Sequence, residues 1–328
     1  MARRRGPDPS VVRVPGPWTH RDVSANGIRL HVAESGTGPL VVLLHGFPET
    51  WWTWRHQLPD LAAAGYRVVA VDLRGYGDSD KPPRGYDLWT LAGDVAGLIR
   101  ALGEERATVV GHGWGGLIGW TLTALHPRQV RGLVAVGAPH PLALRRAVWR
   151  DPAGQGRATA SYALGFQLPR LPERSLRADD GARVERLMRA WAGAGWAATD
   201  DFAQAVAHNR SAIRITTVAH CSMEYYRWAW RSQLRADGRR FAAAVARPAD
   251  VPVLQVHGAD DPCLLASTAR GSARWAGPAL RTHVLDGVGH FPHEERPAAV
   301  RELLREHLRE TAGEPGRPGP RPPCPDGR

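Results

Sequence analysis

Short, almost wholly apolar runs alternate along this chain with stretches of helical periodicity, and no other feature narrows its fold so much. The runs are LVVLL at 40–44, RVVAVDL at 67–73, ATVVG at 107–111, GLVAV at 132–136 and VPVLQVH at 251–257. A continuous apolar run of strand length is what a strand buried on both faces looks like. Between the runs, Leu88, Leu91, Val95, Leu98, Ile99 and Leu102 recur at helical spacing before Gly103, and 53–64 and 114–125 also read as helices. Buried strands separated by helices specify an α/β fold, a mostly parallel sheet with helices on both faces. Asn26-Gly27, between strand patterns at 19–25 and 28–34, marks a hairpin ahead of it.

The alternation stops at 141 and resumes near 248. Residues 141–247 carry helical patterns rich in Arg, Trp and Ala and no strand pattern. The α/β core is therefore expected at 18–140 and 248–310, with a last strand at 281–285 and a closing helix at 297–308. The segment 141–247 is a helical insertion, placed beyond a strand's C-terminal end where such sheets bind ligands, and a lid is its natural role. The Arg/Pro/Gly-rich ends, 1–17 and 311–328, are expected to be disordered because they have too little apolar surface to bury.

Composition excludes several classes. The 328 residues are 43% hydrophobic and 23% charged, without the 18-residue apolar run of a membrane span. The net charge is +11, yet Lys81 is the single lysine and the arginines are spread among acidic residues without forming a stripe. Neither a nucleic-acid nor a membrane partner is expected. The N-terminus lacks the apolar stretch of a secretory signal, and Cys221, Cys263 and Cys324 are too scattered for a disulfide scaffold or zinc site. A cytoplasmic location without metal or cofactor follows, and nothing sets the oligomeric state.

The chemistry-bearing motifs lie just past strands. Val110-Gly111-His112-Gly113-Trp114-Gly115-Gly116 joins a strand to a helix with the glycine spacing of a nucleophile elbow, whose tight turn lifts the central residue above the sheet. His45-Gly46-Phe47-Pro48-Glu49 follows the LVVLL run. Asp260 and Asp261 follow VPVLQVHG, and Gly289-His290 follows the last strand. The order is elbow, then acid, then histidine.

With these motifs, and DLRGYGDSDKP at 72–82 and GHFPHEE at 289–295, the chain resembles the epoxide-hydrolase-like branch of the α/β-hydrolases over nearly its whole folded length. The resemblance implies an α/β-hydrolase fold and cofactor-free hydrolysis of a small apolar organic substrate, an epoxide or activated ester. It assigns His290 as the water-activating base. Asp261 orients it, because Gly258-Ala-Asp-Asp261 fits the Gly-x-x-Asp spacing; Asp260 is the alternative. The backbone N–H groups of Phe47 and Trp114 would form the oxyanion hole. Tyr162 and Tyr226, in the insertion, would hold the epoxide oxygen and donate a proton.

The departure is at the elbow itself. The family's nucleophile position is Gly113, which has no side chain, so covalent catalysis from it is impossible. His112 is no substitute, since neighbouring strand residues point to opposite faces. Three readings follow: hydrolysis by water that His290 and Asp261 activate directly, a pseudoenzyme that binds a small ligand, or a non-covalent cyclase or isomerase.

Overall fold

The computed structural model describes residues 6–277 and 279–312. Its strands are β1 (Thr19–Ala25), β2 (Ile28–Ser35), β3 (Leu40–Leu44), β4 (Arg67–Val71), β5 (Ala107–His112), β6 (Val130–Val136), β7 (Val253–Gly258) and β8 (Leu280–Leu285). They form one sheet in the order β1-β2-β4-β3-β5-β6-β7-β8. The β1–β2 and β2–β4 pairs are antiparallel and every later pair is parallel. Every residue of β3 and β5 is buried, as continuous apolar runs require.

Helices α1 (Gln57–Ala63), α2 (Leu88–Ala101) and α3 (Trp114–Leu125) cover the core strands. The 53–64 reading needs correction. Trp51–Trp54 form a short 3₁₀ turn capped by Thr50, and α1 begins only at Gln57. Pro59 explains the delay: it has no N–H to donate, so a helix tolerates it only in its first turn.

The insertion between β6 and β7 is helical throughout. It contains α4 (Pro141–Arg150), α5 (Arg157–Phe166), α6 (Leu171–Arg177) and α7 (Ala182–Trp191). These are followed by α8 (Ala194–Ala197), α9 (Asp200–Ile213), α10 (Val218–Arg231) and α11 (Ala236–Ala244). The core then closes with α12 (Ala266–Arg270), α13 (Pro292–Glu295) and α14 (Pro297–Ala312). Among the described residues no helix is long and apolar enough to cross a membrane.

Both disordered-end expectations change where they can be compared. Residues 6–17 are ordered: Pro9–Val12 form a 3₁₀ turn, Val12 is 1% exposed, and its carbonyl accepts the Trp51 indole N–H at 2.8 Å. Arg13 adds ion pairs to Asp22 and Asp78. A segment too polar to fold alone is ordered here by docking one valine and one carbonyl into the core. At the other end α14 runs to Ala312, two residues past the expected boundary, and the Thr311 hydroxyl donates back to the His307 carbonyl at 2.9 Å. The remainder of the expected tail lies outside the described residues.

Candidate active site

The elbow follows from close packing. An added Cβ on Gly111 would lie 2.3 Å from the Gly115 backbone, and one on Gly115 would lie 2.3 Å from the Leu44 carbonyl oxygen. No side chain fits at either position. Gly113 is different: a Cβ there would meet only His290 Nε2 at 3.6 Å and the Gly46 Cα at 3.7 Å, ordinary contacts. Its backbone, however, sits at φ 50°, ψ −113°, a conformation that costs a side-chain-bearing residue about 1–3 kcal/mol. The turn thus keeps the strained geometry of an elbow and has room for a side chain, but carries none.

His290 and Asp261 meet above this turn. His290 Nδ1–H donates to Asp261 Oδ2 at 2.8 Å, and Asp261 Oδ1 accepts the backbone N–H groups of Cys263 and Leu264. Burial alone would raise the Asp261 pKa. The attraction of His290 and these hydrogen bonds outweigh it and hold the carboxyl below its ordinary value. Asp260, by contrast, is exposed, so geometry selects Asp261 between the two. His290 is 7% exposed, and its backbone N–H donates to the Trp191 carbonyl of the insertion at 2.8 Å.

Beneath the elbow lies a polar network. His112 Nδ1 is 2.7 Å from Glu49 Oε2, and its Nε2 is 2.8 Å from the His290 carbonyl oxygen. Both partners are acceptors, so both ring nitrogens must carry protons and His112 is an imidazolium. Burial opposes that charge, but the Glu49 carboxylate prevails and raises the His112 pKa. Glu49, equally buried, is held well below the usual carboxylate range by the same pairing. Glu49 also accepts the Gly46 N–H at 2.8 Å and the Thr53 hydroxyl at 3.0 Å. The His290 loop has a second support in Glu295, whose carboxylate accepts N–H groups from Gly289, Phe291 and Gly193.

A cavity of about 570 Å³ opens above Gly113. Phe47, Gly113, Trp114, Tyr162, Tyr226 and His290 all line it, with Asp261 behind His290, so of the residues assigned from the sequence only the alternative acid, Asp260, stays outside. The rings of Tyr162 and Tyr226 lie 6.1 Å apart, and Tyr226 packs edge-on against Trp114 and Phe47. Burial pushes both phenols above their ordinary pKa, which keeps them neutral. Among the described residues, neither the Phe47 nor the Trp114 backbone N–H has an acceptor.

Sequence reasoning missed four contributors. Glu49 was visible inside HGFPE, but its partner lies 63 residues away and nothing local marks the pairing. Glu295 was similarly visible in GHFPHEE without its capping role. Trp191 carried no signal beyond helical periodicity, and Cys263, set aside as scattered, faces the cavity beside Asp261. Asp261, Cys263 and His290 each offer a possible metal-ligand atom within 4.8 Å of the others. Their geometry favours a proton over a zinc ion. Two ligands on one tetrahedral zinc stand roughly 3.3 Å apart or more, whereas Asp261 Oδ2 and His290 Nδ1 are at hydrogen-bonding distance, 2.8 Å.

The sheet order, the elbow and the acid–histidine pair beyond β7 and β8 define a hydrolase fold with a helical insertion. The sequence profile of the alpha/beta hydrolase fold matches residues 39–297, and the chain belongs to that family, in its epoxide-hydrolase-like branch. It is 34% identical over 291 residues to the AB hydrolase superfamily protein YfhM of Bacillus subtilis, spanning 88% of this chain and 96% of that protein. Epoxide hydrolase A of Mycobacterium tuberculosis is 33% identical over 322 residues, covering 89% of this chain and 98% of that one. An epoxide hydrolase from an endophytic Streptomyces superposes with a TM-score of 0.75 at 30% identity, over 90% of this chain and 96% of the other.

Proposed function

We propose that the protein hydrolyses an epoxide or activated ester by direct attack of water, with His290 as base and Asp261 as its orienting acid. One observation carries the reading: His290 is anchored on Asp261 at 2.8 Å while its Nε2 faces the space over Gly113, 3.6 Å from a Cβ position. That space suits a water molecule, which needs only a small polar pocket with a few partners. His290 takes the water proton, the oxygen attacks a ring carbon, and the ring C–O bond breaks. Tyr162 or Tyr226 then supplies a proton to the departing oxygen. For an ester, the Phe47 and Trp114 N–H groups would hold the developing oxyanion. A positioned base of this kind contributes about 10²–10⁴-fold.

The second reading is a pseudoenzyme that binds a small apolar ligand. The missing side chain at Gly113 favours it, together with cavity walls built from residues such as Leu117, Leu142 and Trp228. Mass spectrometry in ¹⁸O water, with panels of epoxides and activated esters, separates the two. Solvent oxygen in the first-turnover product, with an unchanged protein mass, is the result expected of direct hydrolysis. No product from any panel member, or label in a protein carboxylate, would overturn it.

A further inference from the structure

Several groups able to donate hydrogen bonds line the cavity at Gly113. The Trp114 N–H is the first of the 12-residue α3, where the helix dipole places partial positive charge. Phe47, in the loop after β3, lines the same cavity, and among the described residues neither backbone N–H has an acceptor. His290 adds an independent pointer: nine-tenths buried, it directs an Nε2 without a hydrogen-bond partner among the described residues to within 3.6 Å of the Gly113 Cβ position, where its imidazolium form donates to an anion and its neutral form accepts from water. The phenols of Tyr162 and Tyr226 share the same cavity.

The nearby acids do not supply the missing acceptor. Asp261 lies on the far side of the His290 ring, bonded to Nδ1, and Glu49 is engaged by the His112 imidazolium under the elbow. Converging donors in a buried, low-dielectric setting favour an anion. The room is that of a side-chain-sized group, and it leads directly into the apolar cavity.

We infer that this space is a binding site for a carboxylate group. It is supplied either by a small free anion or by the head of an apolar acid whose chain runs up the cavity. The inference goes beyond hydrolysis by water, because binding requires no turnover. It also adds an activity. A bound carboxylate oxygen attacks an epoxide carbon, the ring C–O bond breaks, and the alkoxide takes a proton from Tyr162 or Tyr226, giving a hydroxy ester. Water deprotonated by His290 then cleaves that ester to the diol and the free carboxylate. The proton on His290 returns to the tyrosinate through solvent, so the net reaction is epoxide plus water.

Titration of the whole protein, followed by tryptophan fluorescence at constant ionic strength, tests this with sodium formate, sodium decanoate, 1-decanol and sodium chloride. Saturable binding of formate, absent with chloride, supports the free-anion source. Decanoate binding at least tenfold tighter than 1-decanol supports the acid head group. Gly113→Asp, checked for folding by its melting transition, should weaken either carboxylate at least tenfold while leaving decanol unaffected. Formate should also raise epoxide turnover at least tenfold where chloride does not. Equal binding of decanoate and decanol without formate saturation overturns the site, whatever the variant does. Failure of water-only hydrolysis would appear instead in the ¹⁸O experiment and leave these binding curves unchanged.

Discussion

The two sides of the elbow differ in kind. Behind it, buried Glu49, His112, the His290 carbonyl and Asp261, with half-buried Glu295, form a network in which every carboxylate has partners. In front of it, Gly113 presents no side chain, two backbone donors have no acceptor among the described residues, and the wall becomes apolar. The rear network fastens four loops that leave the sheet at β3, β5, β7 and β8. It therefore serves the fold whether or not a nucleophile stands in front. The comparison teaches that base and acid can stay in working order here for structural reasons, and that their geometry alone does not establish covalent chemistry.

The sharpest way to break the comparison is on its functional side. His290→Ala should lower turnover about 10²–10⁴-fold, the contribution of a positioned base, measured as initial rates on whichever substrate the ¹⁸O panel identifies. Unchanged rates would assign the rear network to structure alone. Next in size, Glu49→Ala leaves the His112 imidazolium buried and unpaired. It should cost about 3–5 kcal/mol in denaturant unfolding, the usual result of breaking a buried pair from one side.

The pH dependence of that pair follows from its shifts. Glu49 titrates below its ordinary 4.5 in the fold, so its contribution is present above pH 4.5 and is lost as pH falls. His112 titrates above its ordinary 6.5, so its contribution is complete below pH 6.5 and is lost as pH rises through the elevated value. The stability gap between the native chain and Glu49→Gln should thus be widest between pH 4.5 and 6.5 and narrow on both sides. A gap independent of pH would mean the pair is not ionised. The smallest effect belongs to the front: Gly113→Ala should cost about 1–3 kcal/mol through its backbone conformation alone, since the added Cβ has space. A cost near zero would show that the elbow relaxes.

The sheet was legible because parallel strands buried on both faces leave unbroken apolar runs, and the elbow because close backbone contacts at Gly111 and Gly115 exclude every side chain. The Gly-x-x-Asp spacing of Gly258-Ala-Asp-Asp261 pointed to Asp261 with Asp260 as the alternative, and in the fold Asp261 meets His290 while Asp260 is exposed. The rest was written in long-range pairs. Glu49 finds His112, Glu295 reaches Gly193 of the insertion, and Val12 docks beside Trp51, each across a separation that periodicity does not record. The N-terminal segment was misread for the same reason: composition describes what a stretch can bury alone, not what an existing core will accept.

Glu295 and Trp191 have one more consequence. Glu295 ties Gly193 to both sides of His290, and the Trp191 carbonyl holds the His290 N–H. The corner between α7 and α8 is therefore stitched to the base, and swinging it outward would carry His290 off its station. Two other cavity-lining side chains, Trp149 and Leu234, are 70% and 86% exposed. Posture and cavity wall are thereby divided: the groups that hold His290 lie at the α7–α8 corner and on α13, whereas these exposed apolar side chains sit on α4 and just ahead of α11.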